Sequence, residues 1–318
     1  MKFKILIILS LLSFSNILFS QNQDNTTYDI VVAQDGSGDF STIQEAIYSI
    51  RAFMTDTKKI YVKKGIYKEK VIIPSWCLNV LIVGEDKENT ILTWNDHANM
   101  PIPGTTKKMG TFRTYTLLIQ GHNIEIQNLT IENNAPQLGQ AVALHIEGDN
   151  VKLFNCKCLG NQDTVYGGNH LGHHWFENCY IEGTVDFIFG PSRMIFKHCT
   201  IHSKKNSYIT APATPQGQDY GFIFYQCKLT ANPEIQKVYL GRPWRPYGHS
   251  CWIECEMGKH ILPVGWDNWR NPKNEKTARF EEYASTGEGG DMSHRRNWSK
   301  KLTKKEVKKL HRYIFPER

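Results

Sequence analysis

Past its first twenty residues this 318-residue chain holds no apolar run long enough to cross a bilayer as a helix. That excludes a polytopic helical membrane protein. The one apolar run, Ile5 to Phe19, is short, broken by serines and Asn16, and preceded by Lys2 and Lys4. A charged start, an apolar stretch and a small residue, Ser20, ahead of polar sequence form the pattern of a signal peptide over residues 1–20. No cysteine stands near Ser20 to carry a lipid. The mature chain, residues 21–318, is expected to be soluble, without stable membrane insertion, and secreted to the periplasm or the outside.

Other absences narrow the function. The glycine-rich DGSGDF (35–40) lacks the glycine spacing and the lysine of a phosphate loop and reads as a structural turn. No proline- or glycine-rich linker divides the chain, so a single domain is expected. Formal net charge is +7, with much of the excess in SHRRNWSKKLTKKEVKKLHR (293–312). Such a surface suits a solvated helix face or a polyanionic partner. No nucleic-acid-binding motif accompanies it, and no nucleic-acid partner is expected. His170, His173 and His174 do not have metal-ligand spacing, and neither a metal nor a cofactor is expected.

What is present is a repeat. The segments LFNCKC (153–158), FENCYI (176–181), FKHCTI (196–201), FYQCKL (224–229) and WIECEM (252–257) share an apolar residue, a polar residue and then cysteine. IQNLTI (126–131) is an earlier copy with Leu129 in the cysteine place. The recurring position falls at 129, 156, 179, 199, 227 and 255, in steps of 27, 23, 20, 28 and 28. Each copy reads as a strand, and periods of this length mean a solenoid. The connections carry Gly, Asn, Pro and Thr without helical periodicity, which disfavours leucine-rich repeats. The expected fold is all-β, a right-handed parallel β-helix with short capping helices at its ends. Its cysteines form an internal ladder, mostly free thiols, with a Cys156–Cys179 bridge possible by proximity. Ser41 and Gln44 predict a capping box opening a helix at one end, and KKLTKKEVKKL (300–310) predicts the closing helix at the other. Capped ends predict a monomer.

The repeat places polar residues in a column. Asp163 in GNQDTVYG and Asp186 in GTVDFIFG each lie seven residues after their cysteine, 23 apart. Adjacent strands are about 4.8 Å apart, so both carboxylates should face one surface. Subtracting 23 again gives Gln140. Two carboxylates about 5 Å apart at an effective dielectric near 20 repel by about 3.3 kcal/mol. One is then ionised while the other keeps its proton, an acid beside a base or a nucleophile. The competing possibility is a pair of exposed turn aspartates. Gln162 and Gln140 offer amide donors for an oxyanion. Asp186, among Val185, Phe187, Ile188 and Phe189, has the more apolar surroundings, which by itself would make it the acid. YLGRPWRPYG (239–248) supplies Arg242 and Arg245 as possible carboxylate partners, and Trp244 a flat face for a sugar.

GQAVAL, GNQDTVY, GTVDFIFG and YLGRPW, in that order, resemble the pectin methylesterases (pectinesterases). VAQDGSGDFSTIQEAI, KGIYKEKV, ILPVGWDNW and EEYASTGEG extend the resemblance over nearly all of the mature chain. It implies a right-handed parallel β-helix and hydrolysis of methyl esters on the galacturonate units of pectin. By that resemblance Asp186 is the nucleophile, Asp163 the proton donor and general acid/base, and Gln162 the transition-state stabiliser. Gln140, Arg242, Trp244 and Thr116 match substrate-binding positions, with Thr114 the neighbour if the alignment slips. The nucleophile role requires Arg242 to outweigh the desolvation of Asp186.

Three stretches depart from the pattern: His145 where many relatives carry Arg, the His-rich GGNHLGHHWF, and GPSRMIF after GTVDFIFG. The long inhibitory pro-region that plant members often carry is not expected here. Carboxylates at this spacing also suit a retaining glycosidase, so a β-helix hydrolase of the polygalacturonase type is the alternative. Polygalacturonase motifs are not visible, and too few acidic ligands surround the pair for a calcium-dependent lyase. A non-catalytic polysaccharide-binding β-helix would leave some of these positions unfilled.

Overall fold

The computed structural model describes residues 27–315, so the expected signal peptide lies outside the described residues. One coil shows how the chain winds. Val151–Phe154 joins a first sheet, Lys157–Leu159 a second and Val165–Gly167 a third. Each then pairs in parallel with the coils before and after it. Repetition gives sheets of 11, 8 and 7 strands, each in sequence order. This is the expected right-handed parallel β-helix.

The cysteine repeat marks the corner between the first and second sheets. The polar residue before each repeated position has a left-handed backbone: Asn128, Asn155, Asn178, His198, Gln226 and Glu254, with φ from 51° to 55°. Among residues that carry a side chain, Asn is one of those that adopt this region most readily. The turn sends the next side chain inward, where Cys156, Cys179, Cys199, Cys227 and Cys255 are buried and free. Their Sγ–H groups reach carbonyls of the preceding coil, as from Cys227 to Phe196 at 3.2 Å. Phe176, Phe196, Phe224 and Trp252 stack along the axis beside them, with centroid separations of 4.7, 4.6 and 3.7 Å.

The helix Ile43–Ser49 packs Ile43, Ala46 and Ile47 over the first coil. Its cap is shifted one residue from the expected Ser41–Gln44 pair. Thr42 Oγ1 accepts from the Glu45 N–H at 3.2 Å, and the Glu45 carboxylate accepts from the Thr42 hydroxyl at 2.8 Å. Gln44 has another task. Its amide accepts from the Ile72 N–H at 2.7 Å and donates to the Ile72 carbonyl at 3.1 Å, satisfying the open edge of the third sheet.

The C-terminal helix, Lys304–Ile314, has a complete Thr303–Glu306 capping box. It does not close the solenoid. Val307 and Ile314 pack on Ile195, Ile223 and Ile253, on the outer face of the first sheet. Those strands are apolar on both faces, and the helix covers the outer one. The end is closed instead by Trp266, Phe280 and Trp298. Beneath them the Arg295 guanidinium grips the fully buried Glu282 at 2.9 Å, and the Trp266 indole N–H donates to the same carboxylate at 2.9 Å.

Candidate active site

Backbone register sets the column. Val165 pairs with Ile188, so Asp163 and Asp186 occupy one position in successive coils, and Tyr208 lies beside it in the next, its carbonyl accepting from the Asp186 N–H at 2.9 Å. Each aspartate stands just before its third-sheet strand with a left-handed backbone, φ 67° at Asp163 and 50° at Asp186. Strain of this kind persists only where surrounding structure imposes it. Gly183 is part of that frame: a Cβ there would lie 2.2 Å from the Phe187 Cβ.

One coil earlier the step is 21 rather than 23, because Leu144 pairs with Val165. That step does not run back unchanged to Asp163, because the Thr164 carbonyl accepts from both the Ala143 and the Leu144 N–H and the register shifts by one residue there. The Ala141 N–H donates to the Gln162 carbonyl at 3.0 Å, as the Asp163 N–H does to the Val185 carbonyl at 3.1 Å, which matches Ala141 with Asp163 and puts Gln140 level with Gln162. Both Gln140 and Gln162 are half-buried, and neither side chain makes a hydrogen bond among the described residues. Thr116 is not at the surface. It is fully buried, and its hydroxyl donates to the Glu132 carbonyl at 2.8 Å. Thr114 is also fully buried, donating to Thr111 O at 2.7 Å and accepting from the Val142 N–H at 2.9 Å. Both threonines brace the wall behind the column rather than offering a free hydroxyl.

Arg242 arrives from the last strand of the third sheet, Tyr239–Gly241. Its Nε–H donates to Asp186 Oδ1 at 3.0 Å and its Nη2–H to Oδ2 at 2.6 Å, a two-pronged pair. The guanidinium lies between two aromatic faces, 3.9 Å from the Tyr208 centroid and 3.8 Å from that of Trp269. Arg245 takes no part; its guanidinium stacks on Trp244 at 4.8 Å. Asp163 has no ion-pair or side-chain hydrogen-bond partner among the described residues, although it is only 8% exposed.

These surroundings separate the two acids. Burial, then the neighbouring Asp186 charge, pushes the Asp163 carboxyl well above the usual carboxylate range, with Arg242 only partly opposing. Burial also raises Asp186, but the two hydrogen bonds and the charge of Arg242 pull it back. Of the two carboxyls, Asp163 is the one whose surroundings favour keeping its proton. The assignment from apolar neighbours alone is reversed, because both carboxyls are buried and only Asp186 has a guanidinium. Between the two values the pair holds a protonated acid beside an ionised carboxylate.

The outer face of the third sheet continues as an aromatic strip. Phe189 lies 4.6 Å from Tyr166 and 5.9 Å from Trp244 by ring centroids. Tyr166 meets His145 edge-on at 4.8 Å, so the departure at His145 lies within the strip, its Nε2 2.7 Å from Glu147. His173 is exposed, while His174 turns in among the core residues, where burial lowers it to about 3. Sequence reasoning missed Tyr208 and Trp269. The register of the column points to Tyr208. Nothing in GWDNW (265–269) distinguishes the buried Trp266 from Trp269.

A guanidinium-held carboxylate thus lies beside a buried, unpaired carboxyl on the third sheet of a parallel β-helix, next to a strip of aromatic rings. The Pectinesterase family model matches residues 29–316, and the chain belongs to that family. It is 38% identical over 303 residues to Pectinesterase 31 of Arabidopsis thaliana, covering 92% of this chain and 94% of the relative. The pectin methylesterase from carrot superposes with a TM-score of 0.82 at 29% identity, covering 92% of this chain and 98% of that one. A pectin methylesterase in complex with a hexasaccharide gives a TM-score of 0.80 at 28% identity, with the same coverage.

Proposed function

We propose that the chain is a pectin methylesterase that removes methyl groups from galacturonate esters of pectin, with Asp186 as nucleophile. The two-pronged Arg242–Asp186 pair beside the protonated Asp163 carries this reading. Asp186 attacks the ester carbonyl, and the carbonyl oxygen takes up negative charge as the tetrahedral intermediate forms. The unengaged amides of Gln162 and Gln140 supply hydrogen bonds to that oxygen. Collapse expels the methoxy group, which takes its proton from Asp163 and leaves as methanol. Asp163, now ionised, accepts a proton from water as the water attacks the acyl–Asp186 anhydride. That frees the galacturonate carboxylate and restores both acids.

Trp244 and the aromatic strip supply faces on which sugar rings stack. Thr116 acts from behind, fixing the wall of the column. A relative that holds a hexasaccharide supports an extended oligosaccharide along the strip. The substrate lies outside cells, and the signal-peptide pattern of residues 1–20 supplies the export it requires.

Incubating wild type and Asp186→Asn with highly methylated pectin tests the reading. Methanol release without new reducing ends or unsaturated products, lost in the variant, is expected. Chain cleavage without methanol would replace it with the polygalacturonase-type alternative.

A further inference from the structure

We propose that the C-terminal helix and the trough beside it form a second galacturonan-binding surface, separate from the catalytic face and directed at the de-esterified, polyanionic polymer. The nature of the occupant rests on the reading above, because an esterase working on pectin surrounds itself with galacturonate carboxylates.

Two observations carry the proposal. The first is charge. With Val307 and Ile314 buried, the helix leaves Lys304, Lys305, Lys308, Lys309 and Arg312 exposed. Among the described residues only Arg312 has an acidic neighbour, Asp219 at 4.0 Å. The helix's one acid, Glu306, is engaged by Lys300 at 2.6 Å and by Thr303. Lys304 and Lys308, Lys305 and Lys309, and Lys308 and Arg312 are four apart, where like charges destabilise a helix. This cluster weakens the helix it sits on, and a bound polyanion removes that penalty.

The second observation is a trough of about 680 Å³ where the last turn of the helix meets the outer face of the first sheet. Trp175, Tyr313 and Phe315 line it, together with Lys152 and Lys197. The Trp175 indole N–H is held by Glu177 at 3.0 Å, which fixes the ring. Lys197 Nζ, 3.0 Å from the Glu177 carboxylate that also lines the trough, stands 5.8 Å from the Trp175 centroid and 5.5 Å from that of Phe315. Lys152 and Arg312 supply the other positive charges. Fixed aromatic faces interleaved with cations suit an acidic sugar chain, rings stacking while carboxylates meet ammonium groups. Four residues apart, the lysines are spaced by about 6 Å along the helix axis, so a run of regularly spaced carboxylates can meet several of them at once. The catalytic strip lies on the third sheet and this surface on the first. The enzyme can therefore be held on finished polymer while its site works on an esterified stretch.

The test measures binding of the full chain to immobilised polygalacturonate, which has no ester to turn over, at low and high salt. A variant carrying Lys304→Gln, Lys305→Gln, Lys308→Gln and Lys309→Gln, and separately Phe315→Ser, are compared with wild type. The quadruple variant should bind at least about tenfold more weakly at low salt, and wild-type binding should fall as salt screens the charges. On a short methylated oligogalacturonide both variants should keep wild-type kcat and KM. Unchanged polygalacturonate affinity in the quadruple variant overturns the proposal. So does lysine-dependent binding to phosphatidylglycerol vesicles without binding to polygalacturonate, since the surface would then serve a membrane. If wild type releases no methanol from pectin while the lysines still govern polygalacturonate binding, the surface stands and the esterase reading falls.

Discussion

Arg242 and Asp186, 56 positions apart in the chain, meet through two hydrogen bonds of 3.0 and 2.6 Å. Two aromatic rings hold the guanidinium in place, so the pair is rigid as well as charged. Removing Arg242 leaves Asp186 desolvated with nothing to offset its burial, and the carboxyl then takes up a proton. Breaking a buried pair in this way costs about 3–5 kcal/mol. With that penalty falling on the ionised Asp186 that the reaction needs, Arg242→Ala should lower kcat/KM by about 10²–10⁴-fold. Arg242→Lys keeps the charge but loses the fork and the stacking, and should recover only part of the loss. Steady-state methanol release measures both.

The pH profile follows from the two carboxyls. Activity needs Asp186 ionised and Asp163 protonated, and burial raises both with Asp163 the higher. A bell-shaped kcat/KM is expected, rising as Asp186 loses its proton and falling as Asp163 does. In Asp163→Asn the falling limb should disappear and kcat should drop by about 10²–10⁴-fold, the usual contribution of a general acid.

The same burial makes Asp163 a stability cost. Its folded pKa lies above its unfolded value, so the folded chain binds more protons between the two. Its stabilising contribution is therefore complete below the unfolded value near 3.8 and is lost as pH rises through the folded one. Asp163→Asn removes that loss and should stabilise the protein near neutral pH by about 1–3 kcal/mol, the desolvation penalty of an unpaired buried group. The gain should vanish below about pH 4, where both states are protonated. Thermal melts at several pH values check the sign. Unchanged or lower melting temperature at pH 7 would count against an uncompensated carboxyl.

The closed end depends on Glu282 and Arg295. Arg295→Ala should destabilise the C-terminal coils by about 3–5 kcal/mol, because Glu282 is then buried without its cation. In a solenoid each coil contacts its neighbours, so the loss should appear first as early local unfolding near Phe280 and Trp298. Hydrogen exchange resolves it.

All eight cysteines are free and buried, and burial pushes the Cys158 and Cys251 thiols up. None should react with a thiol reagent in the native protein, and all eight should react once it is unfolded in denaturant. Rapid modification of the native chain would contradict the inward ladder.

Several of these features are legible in the sequence because they repeat. The Cys spacing gave the coil period, and the 23-residue step from Asp163 to Asp186 survives as strand register. Gln140 shows where the arithmetic stops, since the step from Leu144 to Val165 is 21 rather than 23 and Ala141 takes the place matched with Asp163. Loops differ in length at no cost to the ladder, so a period read from one corner does not transfer to another. Thr116 fails for a different reason: a motif match carries position along the chain but not which face a side chain takes.

Local pattern by itself determined the parallel β-helix, the inward thiols, the paired aspartates on one face and the amphipathic C-terminal helix, because each depends on periodicity that the backbone repeats. Contacts between distant segments decided the rest. Burial raised both carboxyls, and one guanidinium, 56 positions away, pulled Asp186 back more than Asp163. The apolar outer face of the first sheet drew the last helix to the flank instead of the end. Desolvation and ion pairing depend on what lies across space, and no spacing along the chain records that.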